Sequence, residues 1–538
     1  MEVLTVSDVK ANAVGTQPIR DARVLGKGRM FILGLQHMFA MFGATVLVPI
    51  LVGGYFKEAT GEPITSGITV AVTLFCAGMG TLIFHLCSKL KVPAFLGSSF
   101  AFLGGFHTVA NLSNGAYANM GANEKCAYAC GGVVVAGLLY FVLAAIIKLV
   151  GVKRVMRYLP PVVTGPIIIC IGLSLAPSAI SSASTNWFLA LVALSVIIVF
   201  NIWGKGMFKI IPILMGVVIS YGVAIIMNAS GMTNPDGSAI IDFSSVASAS
   251  FVGLPSFQIA KFSVTSILVM APIALASMME HIGDMSAISA TVGENFIEEP
   301  GLHRTLVGDG LATSLSGFIG GPSNTTYGEN TGVLELSKVY DPRVIRLAAI
   351  FAMVLSFIPK FSAVISTMPS AIIGGISFML YGMISAIGVR NVVENHVDLT
   401  KSRNLIIAGV IFVCGLGFSG GLTFHVGEAT ITLTALAIAA IAGILLNAIL
   451  PGKDYEFGVN PAGDQSRGIY VTSKDVKDTS VLTETKKEIR NESSEEAKIG
   501  DKNGDKNVDA DQNGSKDGKK SGNGSHKNSK NGGKKHKK

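Results

Sequence analysis

Three acidic side chains interrupt long apolar runs in this sequence, and their spacing suggests shared work. Glu280 and Asp284 occur in MMEHIGDMS, and Glu329 occurs in SNTTYGENTG, Ser323 to Gly332. Glu280 and Asp284 are spaced i, i+4 and share a helix face, whereas His281 points about 100° away. Two acids on one face repel when both are ionised, so one of them tends to hold a proton. Each charge at a bilayer centre costs about 2.5–3.5 kcal/mol on insertion scales. An acid that gains and loses a proton as its exposure changes is what a proton-coupled carrier requires. Glu329 and Asn330 follow a break and are placed where a half-helix begins. There, free N–H groups and the positive dipole end favour a carboxylate or a polar ligand. The plainer readings are a cap at Glu329 and a water-facing helix end at Asp284.

Gln36 and His37 lie within LGLQHMFAMFGATVLVPI. A buried Gln–His pair needs hydrogen-bond partners, and bonding to the broken segments is expected of it before direct ligand contact. Phe100 and Tyr327 bring aromatic faces to two breaks, where a planar ligand could stack between rings and donate its ring N–H groups to a carboxylate. Such a ligand suits a pyrimidine or purine better than an anion.

The elements that position these groups follow from composition. Of 538 residues 49% are hydrophobic and 14% charged, against about 25% charged in a soluble domain. Apolar runs of about 18 residues or more recur, enough for membrane-spanning helices. A polytopic all-α membrane protein fits; a membrane β-barrel would show short alternating segments instead. The net charge of +8 is partly in the C-terminal run and does not suggest nucleic-acid binding. The six cysteines show no CxxC spacing and are read as packing residues. No metal or cofactor is expected, and no cleavable signal is read in Met1 to Arg29.

Candidate spans fall near 30–54, 66–88, 93–110, 127–150, 161–180, 187–203 and 208–229. A polar connection at 230–262 precedes a second set near 263–291, 303–321, 322–338, 344–366, 370–391, 403–421 and 428–450. Lys and Arg cluster before the first span and after the second, fourth, sixth, tenth and twelfth. This bias calls for an even number of spans with both termini cytoplasmic. Residues 1–29 form a cytoplasmic segment, and 451–538 read as a disordered cytoplasmic tail too polar to offset ordering entropy. Its basic end could touch anionic lipid headgroups.

Two spans are abnormal. PAFLGSSFAFLGG and GGPSNTTYGENTG carry Pro, Gly and polar clusters at the third position of each set of seven. Freed backbone is tolerated at membrane depth only inside protein or against a wet cavity, and paired breaks point to a midplane binding site. Ser98-Ser99-Phe100 can be laid on Thr325-Thr326-Tyr327, and Ser99 and Thr326 are assigned to support of the broken backbone. Because seven is odd, the second set must be inverted relative to the first.

QHMFAMFGATVLVPI, PAFLGSSFAF, EHIGD, EPGLHR and NTTYGENTGV, in this order, resemble the nucleobase–ascorbate transporters, the xanthine/uracil permease family. The resemblance spans about 30–450 and is nearest to the bacterial uracil members. It implies fourteen spans as two inverted seven-span repeats (30–229 and 263–450), short strands crossing in spans three and ten, core and gate domains, a homodimer in the cell membrane, and proton-driven uptake. By motif, Glu280 and Glu329 would hydrogen-bond the base beside the Tyr327 and Gly328 backbone. Phe100 would pack on the ring, Tyr381 of MLYGM would lie near the site, and Asp284 with Glu280 would couple protons. Glu in YGENTG is typical of uracil members and Gln of purine members. Asp284, however, stands where uracil members often carry His and purine members Asp. Uracil is therefore the leading substrate, and a xanthine or urate permease the alternative. A sulfate-type anion exchanger is disfavoured because several acids would repel an anion. An enzyme is not expected, since no nucleophile–base pair or HExxH-like pattern is present.

Overall fold

The computed structural model describes residues 18–455, apart from 114, 419, 427, 428 and 454. These residues belong to one compact unit, Met1–Tyr470. The expected C-terminal tail from 456 onward and residues 1–17 lie outside the described residues.

Apolar runs become helices because a backbone in hydrocarbon must satisfy its own hydrogen bonds. In chain order they are α1 (Lys27–Thr60), α2 (Val70–Cys87), α3 (Leu103–Ala110), α4 (Ala122–Val150), α5 (Pro161–Ser174), α6 (Ala176–Ser184), α7 (Trp187–Trp203) and α8 (Pro212–Ala229). There follow α9 (Val264–Met270), α10 (Ala274–Val292), α11 (Leu302–Phe318), α12 (Gly328–Ser337), α13 (Pro342–Ser356), α14 (Pro359–Ser366), α15 (Ser370–Glu394), α16 (Ser402–Gly417) and α17 (Ala435–Ile449). Strand β1 (Leu96–Ser98) precedes α3 and β2 (Asn324–Thr326) precedes α12; β3 (Leu422–Val426) and β4 (Ala429–Leu433) form a hairpin before α17. Among the described residues seven helices are long and apolar enough to cross a bilayer, α5–α6 and α9–α10 each counting as one. The protein is a helical, multi-pass membrane protein.

Two segments differ from the sequence reading. The run 344–366 is not one straight helix: α13 and α14 meet at 86°. Ile358 has left helical geometry (φ −114°, ψ 84°) and Pro359 opens the next helix, because proline disfavours α geometry in the residue before it. The start of 428–450 is strand, not helix: Leu422 to Val426 pairs antiparallel with Ala429 to Leu433. LTFHV and ATITL alternate with period two and carry β-branched residues, and Thr434 then caps α17 by accepting from Ala437 N–H.

Glycines let helices approach closely, in two cases with glycines facing each other. A Cβ on Gly137 of α4 would fall 2.7 Å from Gly310 O of α11, and one on Gly310 would fall 2.7 Å from Gly137 O. Gly165 of α5 and Gly388 of α15 are related in the same way, at 3.1 and 2.8 Å. Lipid supplies no hydrophobic drive for helix association, so such close approach supplies dispersion contacts instead.

Candidate functional site

The site is built on β1 and β2, which pair antiparallel with Leu96 opposite Thr326, Gly97 opposite Thr325 and Ser98 opposite Asn324. Ser99 N–H donates to Ser323 O (2.9 Å) and Tyr327 N–H to Phe95 O (3.0 Å), extending the ladder at both ends. Each strand's first residue is held by a threonine of the preceding helix. Leu96 N–H donates to Thr81 Oγ1 of α2 at 2.9 Å, and Leu96 O lies 3.2 Å from the same hydroxyl. Asn324 N–H donates to Thr313 Oγ1 of α11 at 3.2 Å, and Asn324 O accepts from it at 3.0 Å. These bonds satisfy strand backbone buried inside the bundle, which would otherwise cost about 1–3 kcal/mol per group.

Tyr327 binds the crossing together. Its hydroxyl donates to Ser98 O at 2.9 Å, and its ring lies on Gly97, where an added Cβ would fall 2.3 Å from Cζ. Ser98 Oγ in turn donates to Thr45 O of α1 at 3.0 Å. Helix α12 begins without a side-chain cap, and so does the 3-10 turn Phe100–Phe102 that follows β1 and runs on into α3. These helix starts therefore direct a positive dipole end at the crossing.

The acids surround this crossing. Asp284 on α10 is buried and accepts from Thr326 Oγ1 at 2.7 Å. Glu280, one turn earlier, is half-buried, and its carboxylate and the Thr325 hydroxyl are enclosed beside each other without in-line hydrogen-bond geometry. Glu329 sits in the first turn of α12, half-buried, on the wall of a 420 Å³ cavity with Gly328, Met383, Ile387, Lys209 and Arg390. Asp284 lines an adjoining 150 Å³ cavity that shares Gly328, Gly332, Ile387 and Arg390 with the first. Phe100 and Tyr381 meet edge to face at 5.9 Å and are both buried.

Asn330 donates from Nδ2 to His37 O at 3.0 Å, with His37 Nδ1 3.3 Å away, so α1 is tied to α12. His37 Nε2, Asn330 Oδ1 and Ser99 Oγ remain enclosed without partners. Gln36 is half-buried on α1 and takes no part in that tie. Glu280, Phe100, Tyr327 and Tyr381 line neither cavity. His281 turns away from the site: Nε2 lies 3.0 Å from Thr305 Oγ1, and Nδ1 lies 3.0 Å from Asp309 Oδ2 without in-line hydrogen-bond geometry. Sequence reading missed Thr81, Thr313 and Arg390. A signal for the first two does exist: GMGT (78–81) and GLAT (310–313) are alike. In each, the glycine admits a neighbouring helix, Gly78 against Ala349 O and Gly310 against Gly137 O. Three residues later the threonine reaches its strand.

Acids, hydroxyls and an aromatic pair around a strand crossing can hold a planar, hydrogen-bonding molecule. A family model described as Permease family (Xan_ur_permease) matches residues 28–423. The chain belongs to the xanthine/uracil permease family. The match takes in every candidate site residue from Gln36 to Tyr381, and it makes the protein a permease, not an enzyme. Among xanthine/uracil permease relatives, the uracil permease of Bacillus caldolyticus is 38% identical over 441 residues, covering 79% of this chain and 93% of that protein. The uracil permease of Bacillus subtilis is 38% identical over 436 residues, covering 78% and 91%. The putative pyrimidine permease RutG of Escherichia coli is 37% identical over 429 residues, covering 78% and 89%. Among solved structures, SLC26A9 aligns with a TM-score of 0.54 at 13% identity, covering 82% of this chain and 69% of that one. Murine Slc26a9 in the inward-facing state aligns at 0.52 and 12%, covering 84% and 73%. At such identity this likeness concerns the fold alone.

Proposed function

We propose that this permease imports uracil together with protons by alternating access. The observation that carries the reading is the convergence of Glu280, Asp284 and Glu329 on one strand crossing, with polar atoms left unpartnered around it. Glu329 and Glu280 accept hydrogen bonds from the base, the Tyr327 and Gly328 backbone lies alongside, and the Phe100–Tyr381 pair packs on the ring. Asp284 and Glu280 exchange the coupled proton. The names of the relatives favour uracil. Asp284, an acid at the proton-coupling position, favours the alternative of a xanthine or urate substrate.

The bundle comprises fourteen spans in two inverted repeats, 30–229 and 263–450, joined by an extracytoplasmic connection at 230–262. The matched GMGT and GLAT helices support this reading, and so does their contact: a Cβ on Gly80 would fall 3.1 Å from Ala312 Cβ. Core and gate domains, a homodimer in the cell membrane and cytoplasmic termini complete the proposal. The 420 Å³ cavity runs from Glu329 toward Lys209 and Arg390, the end that the basic-loop bias assigns to the cytoplasm, so this state opens inward.

Uptake of a labelled nucleobase panel into proteoliposomes, with and without a proton gradient, tests the proposal. Gradient-stimulated uracil accumulation that excess xanthine does not suppress is expected. Glu329→Gln should abolish uracil binding while the protein remains in the membrane. Xanthine accumulation without uracil uptake, or full binding by Glu329→Gln, would overturn the uracil assignment or the role of Glu329 respectively.

A further inference from the structure

Away from the strand crossing, a 450 Å³ cavity lies between the ends of α2, α4 and α11. Its wall has two kinds of surface. Lys148, His303 and Arg304 line it together with Phe141, Ala144, Ala145, Val307 and Cys87. Lys148 stands in the last turn of α4 and Arg304 in the first turn of α11. Nearby Lys89 and Lys91 share Glu299 at 3.1 and 3.0 Å, which offsets one of their two charges. Lys148 and Arg304 have no carboxylate partner among the described residues, so two fixed positive charges face one concave apolar surface.

We propose that this cavity binds the headgroup of an anionic phospholipid. The phosphodiester would sit against Lys148 and Arg304, with His303 as a further donor, and an acyl chain would lie on Phe141, Ala144 and Val307. Guanidinium and ammonium groups are the usual partners of phosphate oxygens, and basic pockets between helices on the cytoplasmic side suit such headgroups. A lipid is favoured over a soluble phosphate because the basic end of the cavity continues onto bare apolar surface of α4. There Val142 is 55% and Leu149 85% exposed. The site does not depend on which substrate the permease carries.

The test uses the purified full chain in detergent. Thermal stability and native mass spectrometry are read with added phosphatidylglycerol, phosphatidylcholine, inorganic phosphate or glycerol 1-phosphate. Phosphatidylglycerol should bind selectively and raise Tm, and the soluble phosphates should not. Lys148→Gln with Arg304→Gln should weaken that binding by roughly 30-fold, from the loss of two basic contacts. Lys153→Gln with Arg154→Gln, which removes two exposed charges just beyond α4 and outside the cavity, should leave it intact. An equal loss in both double variants would replace the site with diffuse surface attraction. An equal Tm shift from inorganic phosphate would replace the lipid with a soluble anion. Unchanged binding after Lys148→Gln with Arg304→Gln would remove these residues from any such site.

Discussion

Thr326 Oγ1 donates a 2.7 Å hydrogen bond to Asp284 Oδ2, joining strand β2 to the acidic face of α10 inside the bundle. The bond reports on two elements at once, the crossing strands and the helix that carries both candidate proton-coupling acids. A change in the ionisation of Asp284 is thereby felt at the strand that ends beside Tyr327. Thr326→Val keeps the shape and deletes the donor. Leaving a buried acceptor without its partner costs about 1–3 kcal/mol, so transport should fall roughly 5- to 100-fold, and Thr326→Ser should restore most of it. Initial uptake rates at matched expression check this; equal rates in the Val and Ser variants would disconnect the bond from transport.

Thr81 and Thr313 should behave as a pair. Thr81→Val leaves Leu96 N–H without its partner, and Thr313→Val does the same to Asn324 N–H. Each buried orphan costs about 1–3 kcal/mol, so both variants should lose thermal stability in detergent by similar amounts. Serine at either position should recover it. A loss confined to one of the two would break the equivalence of their helices.

Gly97 should tolerate no side chain. The clash of an alanine Cβ is with the Tyr327 ring, which is locked at its hydroxyl by Ser98 O, so the strand crossing itself must move. Gly97→Ala should abolish substrate binding measured by calorimetry. Gly104→Ala, where nothing lies within 4 Å, should preserve binding and stabilise α3 by about 0.5–1 kcal/mol.

At the N-terminal side of α1, pH should loosen a strap. Ile19 pairs with Val339, Ala22 N–H donates to Asp341 Oδ2 (2.7 Å), and Arg343 pairs with Asp21 Oδ1 (3.0 Å). The Arg23 guanidinium, with Arg343 beside it, holds the Asp21 carboxyl well below its ordinary value of 3.8. A depressed folded value contributes stability that is complete above the ordinary value and lost as pH falls through the folded one. Hydrogen-exchange protection of residues 19–22, corrected for intrinsic rates, should therefore decline below about pH 4. In Asp21→Asn it should be low already at pH 7. Protection that is equal in the two proteins across this range would exclude Asp21 from the strap.

Sequence alone determined the class of this protein and marked the residues proposed for its centre. Charge depletion and runs of apolar residues leave a polytopic helical bundle as the available solution, because a bilayer offers the backbone no other hydrogen-bond partner. Local breakers marked both PAFLGSSF and SNTTYGENTG, and the i, i+4 spacing put Glu280 and Asp284 on one face while turning His281 away. These are local properties, readable within one or two helical turns. What tertiary structure decided is which distant groups meet. Thr313 is 232 positions from Thr81, yet the two hold the two halves of one strand crossing. Asn330 finds His37 across 293 positions, and Gln36, its neighbour, does not share in the bond. The hairpin of β3 and β4 and the 86° bend between α13 and α14 were likewise beyond reach of a hydropathy reading. Average apolarity measures how a segment partitions into lipid, whereas strand pairing, close helix crossings and hydrogen-bond partners depend on the packing of segments against one another.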